Sequence, residues 1–163
     1  MSLDKEIKQK IDSLRHEAVL SIVYTANCLD KISRDFFRKF DITDAQYNVM
    51  IIIKLEKRKL TQVEISERMV SSRGNVTGLI DKLEKKGYVR RLPVEGDRRV
   101  YHVQLTAQGM RKLEEVEPEY LKVIEKNMMC VSDDESRSLN QLLVKIRKSF
   151  KAIKGAGDEK PKA

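Results

Sequence analysis

The fold of this chain is decided by the stretch Thr61–Thr106, which reads TQVEISERMVSSRGNVTGLIDKLEKKGYVRRLPVEGDRRVYHVQLT. Its first part carries Thr61 and Glu64 at the S/T-x-x-E spacing of a capping box, in which each side chain caps the other residue's backbone. A helix is therefore expected to begin just after Thr61 and to end near Val70. This helix is short, and a tight turn is expected to follow it.

A second helix is expected after the turn, because Ser71 and Ser72 offer hydroxyl groups that cap a helix start. It is expected to stop at Gly87, since glycine favours the conformation found just past helix ends. Apolar residues at i, i+3, i+4 and i+7 predict one buried face, formed by Val76, Leu79, Ile80 and Leu83. The other face is mostly polar at its N-terminal end, where it carries Arg73, Asn75, Thr77 and Gly78.

The segment after Gly87 predicts a basic β-hairpin. A first strand is expected over residues 88–92, a turn over the breakers at 93–97, and a second strand over 100–105. Helix, turn, helix and hairpin together make a winged helix-turn-helix, a unit that places its second helix in the major groove of DNA. The hairpin is then well placed to send arginines toward the neighbouring minor groove, where narrow A·T tracts attract guanidinium groups.

Long amphipathic helices flank this unit on both sides. No glycine or proline interrupts residues 3–40, and apolar residues recur there at spacings of mostly three and four, so one long helix is expected. Thr106 is expected to cap a further helix that Pro118 kinks. Ser132 is expected to cap the last helix, whose first turn is acidic. The winged core cannot cover all of these apolar stripes alone, which predicts a two-fold dimer.

The predicted fold class is mainly α with a small β-wing, a winged helix-turn-helix with long N- and C-terminal dimerisation helices. Residues 1–40 are the N-terminal dimerisation helix, and residues 41–106 are the winged helix-turn-helix, whose first core helix begins at a capping box of Thr43 and Gln46. Residues 107–154 are the C-terminal dimerisation helices. Residues 155–163 are expected to be a disordered tail.

The charge of the chain suits a polyanionic partner. Its 163 residues carry a formal net charge of +8, although charge alone leaves RNA and membrane surfaces open as partners. No apolar run is long enough to cross a bilayer and no signal-peptide pattern is present, so a cytoplasmic location is expected. Cys28 and Cys130 lack metal-ligand spacing and are expected to stay unpaired and to pack as small buried side chains.

The order of a long helix, a winged helix-turn-helix and two C-terminal helices resembles the MarR (multiple antibiotic resistance regulator) family of bacterial and archaeal transcription factors. The resemblance covers about residues 7–153, and its most specific parts are SSRGNVTGLIDKLEKKGYVRR and the wing signature DRRVYHVQLTAQG. It implies a homodimer that binds a pseudo-palindromic operator on double-stranded DNA, usually as a repressor. It also implies a small organic effector that releases the DNA.

The resemblance assigns the recognition helix to residues 71–86. Phosphate contacts are implied for the two serines and the helix N-terminal amides. Arg73 is suited to guanine or to phosphate, Asn75 to adenine, and Thr77 to a thymine methyl or the backbone. Many relatives have an arginine where this chain has Gly78, so the resemblance implies either that one base contact is missing or that the helix lies closer to the groove. In the wing, Arg99 is the expected minor-groove probe, and Asp97 positions it through a charge-assisted hydrogen bond.

The residues implied to meet DNA are Ser71, Ser72, Arg73, Gly74, Asn75, Thr77, Asp97, Arg98 and Arg99. Taken singly, an exposed arginine, asparagine or threonine on a helix is usually just solvated, and Arg98 is as consistent with solvent as with phosphate. Arg90 and Arg91 are interpreted as strand surface residues, although one of them is within reach of a phosphate. The clustering of polar residues at one helix end, beside a basic hairpin, favours the DNA-binding interpretation.

A ligand pocket is inferred between the dimer helices and the DNA-binding lobe, flanked by Tyr24, Cys28 and Tyr47. An effector bound there is expected to favour a spacing of the two recognition helices that does not fit the duplex. Two alternatives stay open: a redox-sensing regulator that uses Cys28, and a winged-helix module that binds a protein. No catalytic constellation, cofactor motif or clear metal-ligand set occurs, which argues against an enzyme and against a metal sensor.

Overall fold

The computed structural model describes residues 11, 13–56, 58–69, 73–94 and 96–157. Two compact units divide the chain, Met1–Pro118 and Glu119–Ala163. In chain order the elements are α1 (Leu14–Arg38), α2 (Asp44–Leu55), β1 (Leu60–Thr61), α3 (Gln62–Arg68), a 3₁₀ turn (Arg73–Asn75), α4 (Val76–Lys85), β2 (Val89–Val94), β3 (Asp97–Leu105), α5 (Ala107–Met128) and α6 (Asp133–Gly157).

The first helix is shorter than predicted. It begins at Leu14 and ends at Arg38, and Ile11 and Ser13 are not helical. Ser13 is the N-cap, with extended backbone angles and a hydroxyl that accepts a hydrogen bond from the His16 amide at 3.5 Å. The prediction of one helix over residues 3–40 is therefore wrong at Ile11 and Ser13, because the serine hydroxyl competes with helix propagation, and it is also wrong at Lys39 and Phe40, which form a turn. Residues 1–10 and 12 lie outside the described part of the chain.

Both predicted capping boxes in the winged unit are confirmed. The Gln46 amide donates to Thr43 Oγ1 at 3.2 Å, and the Thr43 amide donates to Gln46 Oε1 at 3.0 Å. At the start of α3 the Thr61 amide donates to Glu64 Oε2 at 2.7 Å. The hydrogen bond from Arg58, followed by those from Thr61, lowers the pKa of Glu64 to about 2. The carboxylate is therefore charged at neutral pH and holds the helix start.

The second helix of the motif begins later than predicted. Residues Arg73–Asn75 form a 3₁₀ turn, and the α-helix runs from Val76 to Lys85, while Ser71 and Ser72 lie outside the described residues. Its predicted apolar face is buried: Val76, Leu79, Ile80 and Leu83. The predicted stop is confirmed, because Gly87 has φ +71° and its amide donates to Glu84 O at 2.9 Å. The Tyr88 amide donates to Leu83 O at 2.9 Å, which completes a Schellman motif.

The sheet has three antiparallel strands in the order β1-β3-β2. The sequence did not predict β1, in which Leu60 pairs with Val103. The hairpin strands are also longer than predicted, since β2 continues through Pro93 to Val94 and β3 already begins at Asp97. A proline is compatible with β2 because this is an edge strand, where one missing N–H breaks no ladder. The expectation that 93–97 are all turn residues is therefore wrong.

The C-terminal helices begin as predicted. Thr106 Oγ1 accepts from the Gly109 amide at 3.0 Å, and Ser132 Oγ accepts from the Glu135 amide at 3.3 Å. The helix after Thr106 continues through Pro118 to Met128. The last helix extends to Gly157, so the predicted tail is wrong for residues 155–157, and residues 158–163 lie outside the described part. Glycine lowers helix propensity by only about 1 kcal/mol, whereas proline is the strong breaker, and no proline follows the start of this last helix before Pro161.

The hydrophobic core of the winged unit joins all of its elements. Side chains from α2, β1, α3, α4, β2, β3 and the start of α5 contribute to it, and the fully buried members include Val49, Met50, Leu60, Ile65, Ile80, Leu83, Val103 and Leu113. Because α4 buries one whole face in this core, its opposite face is held outward in a fixed orientation. This is the surface to which the sequence assigned DNA contacts.

Candidate DNA-binding surface

The exposed face of α4 begins with two of the predicted residues. Asn75 and Thr77 are both exposed, and Gly74 precedes them on the 3₁₀ turn, also exposed. Asn75 is the N-cap of α4 by backbone position, yet its side chain makes no capping hydrogen bond. The amide of Asn75 is therefore not committed to the start of the helix. Arg73 contributes its backbone to the same turn.

Gly78 affects this surface because it has no side chain. A Cβ at this position would lie 2.6 Å from Asn75 Oδ1. An arginine there would have to displace the Asn75 side chain. The glycine thus leaves room for the amide of Asn75 over the first turn of α4.

Thr77 is hydrogen-bonded to a residue that the sequence did not single out. Gln62, the first residue of α3, donates from Nε2 to Thr77 Oγ1 at 2.6 Å. The two residues are 15 positions apart, and the contact joins the starts of the two helices of the motif. No local pattern in the sequence indicates such a contact.

Arg91 connects the wing with α4, the helix predicted to be the recognition helix. From β2 its guanidinium forms ion pairs with Asp81 and Glu84 of α4, each with a nitrogen–oxygen distance of 2.5 Å. Burial lowers the pKa of Arg91, but the hydrogen bonds that its guanidinium donates to Asp81 and Glu84 outweigh burial, and its pKa is raised. The interpretation of Arg91 as a strand surface residue is thus wrong, because its guanidinium is bound to α4.

The neighbouring arginine behaves differently. Arg90 donates to Gln104 Oε1 at 2.9 Å across the hairpin, and its side chain is exposed. This cross-strand contact stays within the wing. The interpretation of Arg90 as a strand surface residue agrees with this position.

The tip of the wing carries the predicted minor-groove residues. Gly96 has φ +87°, a left-handed conformation that favours glycine, and Val94 pairs with Asp97 across the tight turn. The backbone of Asp97, Arg98 and Arg99 forms the first part of β3, directly after this turn. The predicted hydrogen bond between Asp97 and Arg99 stays a prediction.

The three predicted pocket residues occupy different environments. Tyr24 and Cys28 are exposed on α1, whereas Tyr47 packs on Phe37 with ring centroids 4.9 Å apart. Both Cys28 and Cys130 are exposed on the described chain, so the expectation that they are buried is wrong. The cause is that α1 and the loop before α6 present these positions outward within the single chain.

A different cavity, of about 650 Å³, lies between the end of α1, the start of α2 and the end of α4. It is lined by Arg34, Arg38, Asp41, Ile42, Thr43, Asp44, Gln46, Lys82, Lys85 and Lys86. Lys86 Nζ bonds Asp41 Oδ2 at 2.8 Å, which lowers the pKa of Asp41 and joins the chain after α1 to the end of α4. None of the three predicted pocket residues lines this cavity.

In the part of the chain that the structure describes, no group of three or more His, Cys, Asp or Glu side chains is placed to hold a metal ion. None of the helices in that part of the chain is long and apolar enough to span a membrane.

The fold and the exposed α4 surface define a winged helix-turn-helix protein, and comparisons with known proteins agree. The MarR family model matches residues 42–101. An HTH-type transcriptional regulator of Bacillus cereus (strain ATCC 10987 / NRS 248) is 30% identical over 130 residues, which are 79% of this chain and 86% of the relative. The regulator PapX of Escherichia coli is 32% identical over 123 residues, 73% of each chain.

A solved structure shows the same likeness. A mutant of MarR from E. coli, crystallised with operator DNA, superposes with a TM-score of 0.70 at 27% identity, over 83% of this chain and 99% of that one. The chain therefore belongs to the MarR family. Its relatives are transcriptional regulators, and the predictions of family, of fold class and of a regulator rather than an enzyme are confirmed.

Proposed function

We propose that the chain is a homodimeric, sequence-specific repressor that binds a pseudo-palindromic operator in the cytoplasm. The main support is the α4 surface, where Asn75 and Thr77 are exposed at the end of a helix whose other face is fixed in the core. Arg91 holds the wing against this helix. The recognition helix enters the major groove, and Arg99 reaches the neighbouring minor groove. The MarR mutant crystallised with operator DNA supports this assignment.

The helices outside the winged core support a dimer. On α1 the exposed apolar residues are Leu14, Val19, Ile22, Val23 and Leu29. On α6 they are Leu139, Leu142, Val144, Ile146 and Phe150. Exposed apolar residues of this kind on a helix mark an interface, and a second copy of the chain offers the same residues in return. Two copies place two recognition helices on one duplex, as a palindrome requires.

The experiment that tests this proposal is the selection of bound duplexes from a random pool. A dimeric repressor selects a two-fold symmetric motif whose half-sites are about one helical turn, roughly 34–36 Å, apart. A protein-interaction module would instead bind duplexes weakly and without sequence preference. Selection of no motif would overturn the proposal in favour of that module.

Arg99→Ala is expected to weaken binding to the selected operator about tenfold, because one guanidinium leaves the minor groove of each half-site. The slope of log affinity against log salt concentration is expected to become shallower by about one unit for each phosphate that is no longer neutralised. Filter binding or fluorescence anisotropy from 50 to 200 mM salt, roughly the range over which such contacts weaken, measures both effects.

The matched control is Arg111→Ala, which removes the same charge from an exposed position on α5. It is expected to change affinity much less than Arg99→Ala does. Equal effects of the two substitutions would show that only net charge matters, and the wing arginine would lose its assigned role.

For the effector we propose an organic anion bound in the cavity between α1, α2 and α4. Five cationic side chains and two carboxylates line it, and Ile42 adds apolar surface. Because Lys82 and Lys85 belong to the end of α4 and Lys86 directly follows it, a ligand there contacts the recognition helix directly. The ligand would weaken operator binding only as far as it binds the DNA-free arrangement of the protein more tightly than the DNA-bound arrangement. One alternative is that the effector binds at Tyr24, Cys28 and Tyr47. A second alternative is that oxidation of the exposed Cys28 regulates DNA binding in place of an effector.

The cavity is tested with 1-anilinonaphthalene-8-sulfonate, an amphipathic anion whose fluorescence rises on binding. The double variant Lys82→Gln with Lys85→Gln is expected to bind it about tenfold more weakly, because two unpaired cations leave the rim. The control is Lys122→Gln with Lys126→Gln on α5. If both double variants bind the probe alike, the anion does not occupy this cavity.

A further inference from the structure

The amide of Gln62 connects the recognition helix with the wing. Its Nε2 donates to Thr77 Oγ1 at 2.6 Å, and its Oε1 accepts from Arg91 Nη2 at 3.4 Å. Thr77 lies on the exposed face of α4, in its first turn, and Arg91 lies on β2. One side chain of α3 therefore touches a predicted DNA-contacting residue and the strand that carries the wing.

The chemistry of Arg91 fixes which way this amide points. A guanidinium has only donors, so it can face only the carbonyl oxygen of the amide. The amino group of Gln62 must then face Thr77, and the hydroxyl of Thr77 must accept. A hydroxyl that accepts through its oxygen keeps its own hydrogen for a further acceptor.

Arg91 is itself held in place, so the orientation it imposes is stable. Besides the two ion pairs of its guanidinium, its backbone amide donates to Glu84 Oε1 at 3.0 Å. Its side chain is only 20% exposed. An anchored donor on one side of Gln62 thus determines the hydrogen bonding of Thr77 on the other.

We propose that Gln62 is a positioning residue that presents Thr77 to DNA as a hydrogen-bond donor. Thr77 then meets acceptors on the duplex: a phosphate oxygen, guanine O6 or N7, adenine N7 or thymine O4. This inference rests on the proposed function and deepens it, because it assigns the polarity of one contact at the same surface.

The test is a double-mutant cycle on the operator selected by the wild-type chain. Gln62→Leu removes both hydrogen bonds of the amide, and Thr77→Val removes the hydroxyl and keeps the shape of the side chain. Gln62→Leu is expected to weaken operator binding about fivefold in the wild-type background, a typical effect of one lost hydrogen bond. In the Thr77→Val background it is expected to have less than about a twofold effect, because Gln62 acts through the hydroxyl.

Gln104→Leu is the matched control, because it makes the same change at a residue bonded to Arg90 within the wing. Its effect on operator affinity is expected to be the same in both backgrounds. A fivefold loss from Gln62→Leu in both backgrounds would show a purely structural role and overturn the inference, as would no loss in either. If the wild-type chain selects no motif at all, the proposed function fails first and this inference fails with it.

Discussion

The substitution Leu142→Asp is expected to convert the proposed dimer into monomers and to weaken operator binding at least about a hundredfold. Leu142 lies on α6 with 60% of its surface exposed in the single chain, among the apolar residues of that helix. A charge buried in an apolar interface without a partner costs several kcal/mol, which is enough to dissociate a modest dimer. A monomer then binds one half-site and loses the avidity of two linked contacts.

Sedimentation velocity at micromolar protein measures the dissociation, and anisotropy with the selected operator measures the affinity. Asn140→Asp adds the same charge to the same helix, at a polar and exposed position. It is expected to leave the protein dimeric and its DNA affinity nearly unchanged. A Leu142→Asp variant that sediments like the wild-type chain would remove α6 from the proposed interface.

Gly109→Ala is expected to give the largest loss of stability from a single methyl group, about 3 kcal/mol. A Cβ at Gly109 would lie 2.0 Å from the carbonyl oxygen of Tyr88 and 2.8 Å from its carbonyl carbon. Both are backbone atoms, so no side chain can rotate to relieve the clash. Overpacking typically costs about 1–3 kcal/mol, and a rigid neighbour places this site at the upper end.

The Tyr88 carbonyl cannot move freely, because it already accepts a hydrogen bond from the Thr106 amide at 3.0 Å. Thermal unfolding is expected to shift down by about 6–12 °C, given roughly 2–4 °C per kcal/mol for a chain of this size. Gly74→Ala is the matched control, because a Cβ there meets no atom within 4 Å. Similar midpoints for the two variants would show that α5 moves away from Tyr88 at little cost.

Local signals in the sequence were sufficient for much of this fold. The capping boxes at Thr43 and Thr61 and the stop at Gly87 depend only on residues three to five positions away, and all three are present. Elements that depend on distant partners were missed. The strand β1 exists because Leu60 pairs with Val103, and Pro93 is a strand residue because β2 lies at the edge of the sheet.

In the candidate site, too, the sequence predicted the features set by neighbouring residues and missed the contacts between distant residues. The exposure of Asn75 and Thr77 follows from helical periodicity, which places them opposite the buried stripe of α4. The contact between Gln62 and Thr77 and the ion pairs of Arg91 join residues 7 to 15 positions apart on different elements. Periodicity carries no information on such contacts. The exposure of Cys28 was missed because the apolar stripe of its helix predicts burial, whereas the single chain leaves this stripe exposed.

The position of Pro93 has a consequence for how this protein behaves at high concentration. The outer edge of a sheet offers free amides and carbonyls to which a strand of another molecule can attach. Pro93 removes one amide from the open edge of β2, and the opposite edge strand, β1, is only two residues long. The wing therefore offers little open sheet edge on which fibrous aggregates could start, even in a concentrated solution.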